Sequence, residues 1–155
     1  RTTKKMPERG DIITFEAPSK MALSAEEVDF NNPVAVYENQ PKNIFSKFTY
    51  YVLEWGKQSF IKRVIGLPGE HIKIEDGKVY INGEEYKEDY LQEDVKTTAS
   101  GVFTDFVVPE NYVFAMGDNR AESTDCRSFG CIPLEKIEGR VVLRFFPFNR
   151  FGKVE

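Results

Sequence analysis

Residues 60–83 constrain the fold more than any other stretch of the chain. The run Phe60-Ile61-Lys62-Arg63-Val64-Ile65 alternates across two largely apolar faces and stops abruptly at Gly66-Leu67-Pro68-Gly69. Two further runs, residues 71–74 and 78–81, flank Asp76-Gly77, and Asn82-Gly83 follows at once. Asp-Gly and Asn-Gly accept positive φ at both central positions of a two-residue turn, whose twist suits antiparallel strands. The pattern predicts hairpins and a mainly β fold. Residues 9–15, 103–108 and 112–116 read as additional strands.

Residues 17–58 interrupt this pattern and read as an insertion. Up to Pro41 the segment is polar, with a short strand-like run at residues 34–37. Beyond it Ile44, Phe45, Phe48, Tyr51, Val52 and Trp55 recur at helical spacing, which predicts one short amphipathic helix over residues 42–55, ended by Gly56. Its apolar stripe packs on the sheet or serves as a lid or interfacial helix, and the spacing leaves both open. The acidic residues 84–94 read as a solvated connection. With 155 residues, 41% hydrophobic and 30% charged, the chain is expected to form a single domain with its own core.

Lysine in such a strand has chemical consequences. Lys62 shares a face with Phe60 and Val64, while Arg63 shares the other with Ile61 and Ile65. Desolvation disfavours an ammonium, and a dry site can leave a neutral amine able to take a proton from a hydroxyl nucleophile. An ordinary lysine is neutral only about once in 2,500 at pH 7, and half-neutrality costs roughly 4 to 5 kcal/mol of differential solvation. The alternative is a lysine that buries its stem and keeps its amine wet. A second segment, residues 117–130, is a polar, glycine-flanked loop after a strand, with Asp118 and Asn119 suited to bonding local backbone amides. Read alone, it is a turn.

Several classes are excluded or weakened. A net charge of −4 argues against a nucleic-acid partner. No run of 18 apolar residues is present to span a membrane. His71 is the single histidine and sits among hairpin residues, so it reads as structural, and a lysine base remains as the hydrolytic option. Two cysteines and one histidine are too few for a metal site, and no cofactor is expected.

Taken together, the segments resemble the type I signal peptidases, membrane-bound Ser-Lys endopeptidases that remove signal peptides from exported proteins. Arg9-Gly10-Asp11-Ile12 is similar to that family's first strand box, residues 60–70 to its lysine box and residues 117–130 to its Gly-Asp-Asn-Arg box. Lys136-Ile137-Glu138-Gly139-Arg140 and Phe146-Pro147-Phe148 are similar to its C-terminal part. The resemblance implies a signal peptidase-type β fold in which Lys62 is the general base and Ser123 the hydroxyl that hydrogen-bonds and orients it. Asp125 and Arg127 are implied as a supporting ion pair, and Asp118, Asn119, Arg120 and Arg63 as residues that shape the loop. Ser59, Phe60 and Ile61 are implied as the edge to which substrate adds as an extended strand. For Arg63 and Arg120 the alternative reading is plain surface charge.

The family's nucleophilic serine lies upstream of the Arg-Gly-Asp-Ile box, and none of the eight residues before Arg9 is a serine. The expectation is a piece of an active enzyme that as written cuts no peptide. The resemblance also implies signal peptides and the membrane surface as partners, and a catalytic domain on the extracytoplasmic side of the cytoplasmic membrane. That location favours a disulfide between Cys126 and Cys131, with two free thiols as the alternative. The aromatic cluster Phe145, Phe146, Phe148 and Phe151 suits a membrane-facing rim or core packing equally. A non-catalytic assembly factor for exported or pilus proteins is the competing function. A self-cleaving repressor would need a basic DNA-binding segment that the chain lacks.

Overall fold

The computed structural model describes residues 6–38, 58–141, 143–144 and 152–153. The amphipathic helix expected over residues 42–55 and the aromatics Phe145, Phe146, Phe148 and Phe151 lie outside the described residues. Two antiparallel sheets carry the core. In the first, β1 (Ile12–Glu16) pairs with β2 (Ser59–Gly66) on one side and with β9 (Ile137–Arg140) on the other. Beyond β2 lie β7 (Tyr112–Met116) and β8 (Ile132–Pro133). The second sheet runs in the order β5 (Glu84–Glu85), β4 (Lys78–Ile81), β3 (His71–Glu75), β6 (Asp105–Val107). A small ribbon pairs β10 (Leu143–Arg144) with β11 (Gly152–Lys153).

The turns are those the dipeptides demand. Asp76 and Gly77 have φ of 52° and 79° between β3 and β4, and Asn82 and Gly83 have 51° and 85° between β4 and β5. Residues 34–37, read as a strand, form only an isolated parallel bridge of Val34 with Cys131. The acidic residues 84–94 are not merely solvated, because β5 pairs with β4 and Tyr86 and Tyr90 pack against the core.

The register of β1 on β2 sets Ile13 opposite Lys62 and Phe15 opposite Phe60. Ile13, Phe15 and Val64 are fully buried, so Lys62 projects from the core face of the sheet. The other face is more open at this end, where Ile61 is 61% exposed. The two sheets meet through Phe106 on β6 and Phe114 on β7, whose ring centroids lie 4.9 Å apart. Gly66 ends β2 where a Cβ would stand 2.9 Å from Ile72 Cδ1 and 3.0 Å from Val108 Cγ2. Only a glycine lets the second sheet approach so closely.

Arg9 clamps the turn between the sheets. Its guanidinium donates to the Ile65 carbonyl at 2.8 Å and to both Glu70 carboxylate oxygens at 2.8 and 2.6 Å, while Glu70 accepts the Leu67 N–H at 2.8 Å. Burial alone would raise the Glu70 carboxyl; the Arg9 and Leu67 hydrogen bonds and the Arg9 charge outweigh it and hold the group below its ordinary value.

Phe114→Ala is expected to cost about 3 to 5 kcal/mol in urea unfolding, since it empties the junction of the sheets. The Arg9–Glu70 clamp has a defined pH signature, because a depressed folded pKa stabilises above the unfolded pKa and the contribution is lost as pH falls through the folded value. The stability gap between wild type and Glu70→Gln should therefore be full above pH 4.5, the group's ordinary value, and should close on further acidification.

Candidate active site

β2 and β7 run side by side only part of the way. Arg63 pairs with Met116, and beyond that point the chain leaves the sheet at Gly117. It returns through Asp125, which caps the short helix Cys126–Phe129. Asp125 and Arg127 are both fully buried. Asp125 Oδ1 accepts the Arg127 backbone N–H at 3.1 Å and Nε at 2.9 Å, and Oδ2 accepts Arg127 Nη2 at 2.8 Å and the Gly117 N–H at 3.0 Å. Arg127 spends its other donors on the carbonyls of Thr98, Arg120 and Ser123. This ion pair ties both ends of the loop together.

Gly117 is where the chemistry gathers. A Cβ there would overlap the Ser123 hydroxyl and lie 3.6 Å from Lys62 Nζ, so the amine and the hydroxyl converge on one small space. Ser123 Oγ is buried without a hydrogen-bond partner, the one such side-chain atom among the described residues. The direct Ser123–Lys62 hydrogen bond expected from the resemblance is therefore not formed. Lys62 is half-buried, with Nζ 5.5 Å from the Phe60 ring centroid, and has no carboxylate at ion-pair distance among the described residues.

Arg63 and Arg120 are structural participants, not surface charge. Arg63 is 6% exposed and grips Asp118 with Nε and Nη2 at 3.0 and 2.9 Å, donates to the Gly10 carbonyl at 3.1 Å, and lies 4.0 Å from the Tyr90 ring centroid. Arg120, 1% exposed, donates to the Gly117 carbonyl and to Glu88, Tyr90 and Thr97. The Asn119 side-chain amide donates to the exposed Glu122 carboxylate at 3.1 Å, and its carbonyl accepts the Glu122 and Ser123 N–H groups at 3.2 and 3.0 Å. Glu88, Tyr90 and Thr97 were missed by sequence reading. Their signal was the pair of tyrosines within an acidic run, since a solvated connection has no use for aromatic area.

Ser59, Phe60 and Ile61 occupy the part of β2 that β7 does not reach. Among the described residues they have a strand partner only on the β1 side. Ser59 and Ile61 are exposed, while Phe60 packs edge-on against Phe15 and tilted on Phe129.

The disulfide is corrected: Cys126 and Cys131 are free, fully buried thiols. Cys126 Sγ accepts the Ala115 N–H at 3.2 Å, and Cys131 is held in its bridge by backbone bonds to Pro33 and Ala35. Burial pushes both thiols well above their ordinary range, which leaves them neutral and unreactive. His71 sits on β3 against Asp105 at 2.6 Å. Among the described residues no cluster of three or more potential metal ligands occurs.

Gly117→Ala should destabilise the protein by about 1 to 3 kcal/mol, the usual cost of an overpacked site. Because the clash is with the Ser123 side chain, adding Ser123→Gly should recover most of that loss in urea unfolding.

The chain as a whole is similar to known proteins. The sequence pattern described as "Signal peptidase, peptidase S26" matches residues 1–146. The "Probable signal peptidase I-1" of Synechocystis sp. is 40% identical over 148 residues, covering 96% of this chain and 59% of the relative. The "Signal peptidase I" of Leptolyngbya laminosa is likewise 40% identical over 148 residues, covering 96% of this chain and 57% of the relative. The chain thus spans less than two thirds of the length of these relatives. A crystal structure of a signal peptidase I from Enterococcus faecalis V583 superposes with a TM-score of 0.55 at 28% identity, covering 89% of this chain and 98% of that one. A match across nearly the whole chain, joined to the same mainly β architecture, shows that the chain belongs to the signal peptidase family, peptidase S26.

Proposed function

We propose that the intact protein is a signal peptidase I, a serine endopeptidase that cleaves signal peptides from exported preproteins with Lys62 as general base. The observation that carries this reading is the buried, unpartnered Ser123 hydroxyl beside the Lys62 amine at Gly117. A buried hydroxyl without a partner is costly, and a neighbouring amine with no carboxylate at ion-pair distance among the described residues adds to the vacancy in hydrogen bonding. A nucleophilic serine hydroxyl entering this space supplies what Lys62 lacks. In the family's order that serine lies upstream of Arg9.

The reaction follows from these positions. The signal peptide pairs as an extended strand with residues 59–61 along the edge that β7 leaves free, which brings its scissile carbonyl to the end of β2. As general base Lys62 takes the proton while the serine oxygen attacks, and then returns it to the departing amine. Water then hydrolyses the ester-linked acyl-enzyme with the same base. In this reading Ser123 Oγ accepts an N–H from the Lys62 amine, and later from its ammonium, which leaves the lone pair facing the serine hydroxyl. Backbone pairing accounts for tolerance of many substrate sequences. The substrate is membrane-borne, so this reading puts the cleft at the outer surface of the cytoplasmic membrane. No helix among the described residues is long and apolar enough to cross a membrane.

The complete gene product in detergent should cut a fluorogenic signal-peptide substrate. Lys62→Ala and Lys62→Met should each lose at least about 10³-fold in kcat/KM, the scale on which removal of a catalytic base registers. Ser123→Ala should lose about 10- to 100-fold, mainly in kcat. Cutting that survives Lys62→Met would end the lysine-base mechanism, and a folded, inert wild type would instead promote the assembly-factor reading.

A further inference from the structure

The peptide of Gly117 is held from both sides. Its N–H donates to Asp125, which Arg127 neutralises, and its carbonyl accepts Arg120 Nε at 3.1 Å. Arg120 is fully buried and cannot stand there alone. Its counter-ion is Glu88, whose side chain is only 9% exposed and which receives both terminal nitrogens, Nη1 to Oε1 at 2.6 Å and Nη2 to Oε2. Thr97 and Tyr90 accept the remaining donors, and the Tyr90 hydroxyl in turn donates to Glu88. Burial, with the Glu88 charge, raises the Tyr90 phenol, so it stays a donor. The same tyrosine ring covers the Arg63 guanidinium that grips Asp118, next to Gly117.

Residues 84–97 thus reach across from the second sheet to hold both flanks of Gly117. A buried ion pair is a poor way to gain stability, since an apolar pair of the same shape does as well or better. What a planar, bidentate Arg–carboxylate pair supplies is fixed geometry. The geometry at stake is the position of Gly117, whose missing side chain leaves room for Ser123 Oγ and Lys62 Nζ.

We propose that Glu88 is a positioning residue of the active site, which through Arg120 fixes the Gly117 carbonyl and thereby the spacing of Lys62 and Ser123. The inference rests on the peptidase reading for its kinetic consequence but not for its structural one. Glu88→Gln keeps size and shape while removing the charge that Arg120 requires.

The experiment uses the complete gene product in detergent, comparing wild type, Glu88→Gln and Lys62→Ala at a temperature where circular dichroism shows each fully folded. Michaelis kinetics on the signal-peptide substrate should show kcat lowered about 10- to 100-fold in Glu88→Gln with KM within about twofold, because small misplacements near reacting groups cost rates of that order. Amide hydrogen exchange at Gly117 and Ser123 should quicken by at least about tenfold in the same variant, as local opening becomes easier. A lowered melting temperature with kcat and exchange at these amides unchanged would overturn the proposal, as would a loss confined to KM. A wild type as inert as Lys62→Ala sinks the peptidase reading alone. The exchange rates then still decide whether Glu88 holds the loop.

Discussion

The Asp125–Arg127 ion pair, wholly withdrawn from water, is the constraint on which the rest of the site depends. Taking either charge out of water costs several kcal/mol, recovered only when hydrogen bonds are nearly complete. Here the carboxylate accepts Gly117 and Arg127 donors on both oxygens, while the guanidinium reaches three carbonyls of the surrounding chain. Meeting those demands brings the end of β7, the loop after it and residue 98 into one arrangement. Cys126–Phe129 begins as a helix because Asp125 caps it. The placing of Gly117 beside Ser123 and Lys62 is thereby a consequence of satisfying two buried charges.

Neighbouring residues of β2 are treated in opposite ways. Arg63 is saturated by Asp118, a Gly10 carbonyl and the Tyr90 ring, whereas Lys62 is left without a carboxylate among the described residues. Three acids around the loop are each occupied by an arginine: Asp118 by Arg63, Asp125 by Arg127 and Glu88 by Arg120. An unoccupied carboxylate would favour the lysine ammonium. Guanidinium groups hold their protons throughout, so they absorb the local negative charge without competing as bases.

Strand alternation made part of this legible. The 60–65 run told which face Lys62 shares, and the Asp76-Gly77 and Asn82-Gly83 turns appear where the dipeptides require positive φ. Residues 84–94 were misjudged because charge dominates their composition, yet Glu88 and Tyr90 find buried partners that no local pattern announces. Arg120 was left between surface charge and loop residue for the same reason. The cysteines misled differently. Their spacing is compatible with a bridge, but a short helix and a sheet bridge direct each thiol to its own buried site.

By itself the sequence determined the strands, the tight turns, the lysine on an apolar face and, through its motifs, the family. These are local properties, set by side-chain period and by which dipeptides accept positive φ. Tertiary structure alone decided that Ser123 and Lys62 meet at Gly117, that Ser123 is left without a partner, and that Glu88 is the counter-ion of Arg120. Each of these joins residues far apart along the chain. Their proximity depends on how two sheets pack and on which buried charges must be paired, and neither is encoded in any short stretch of residues.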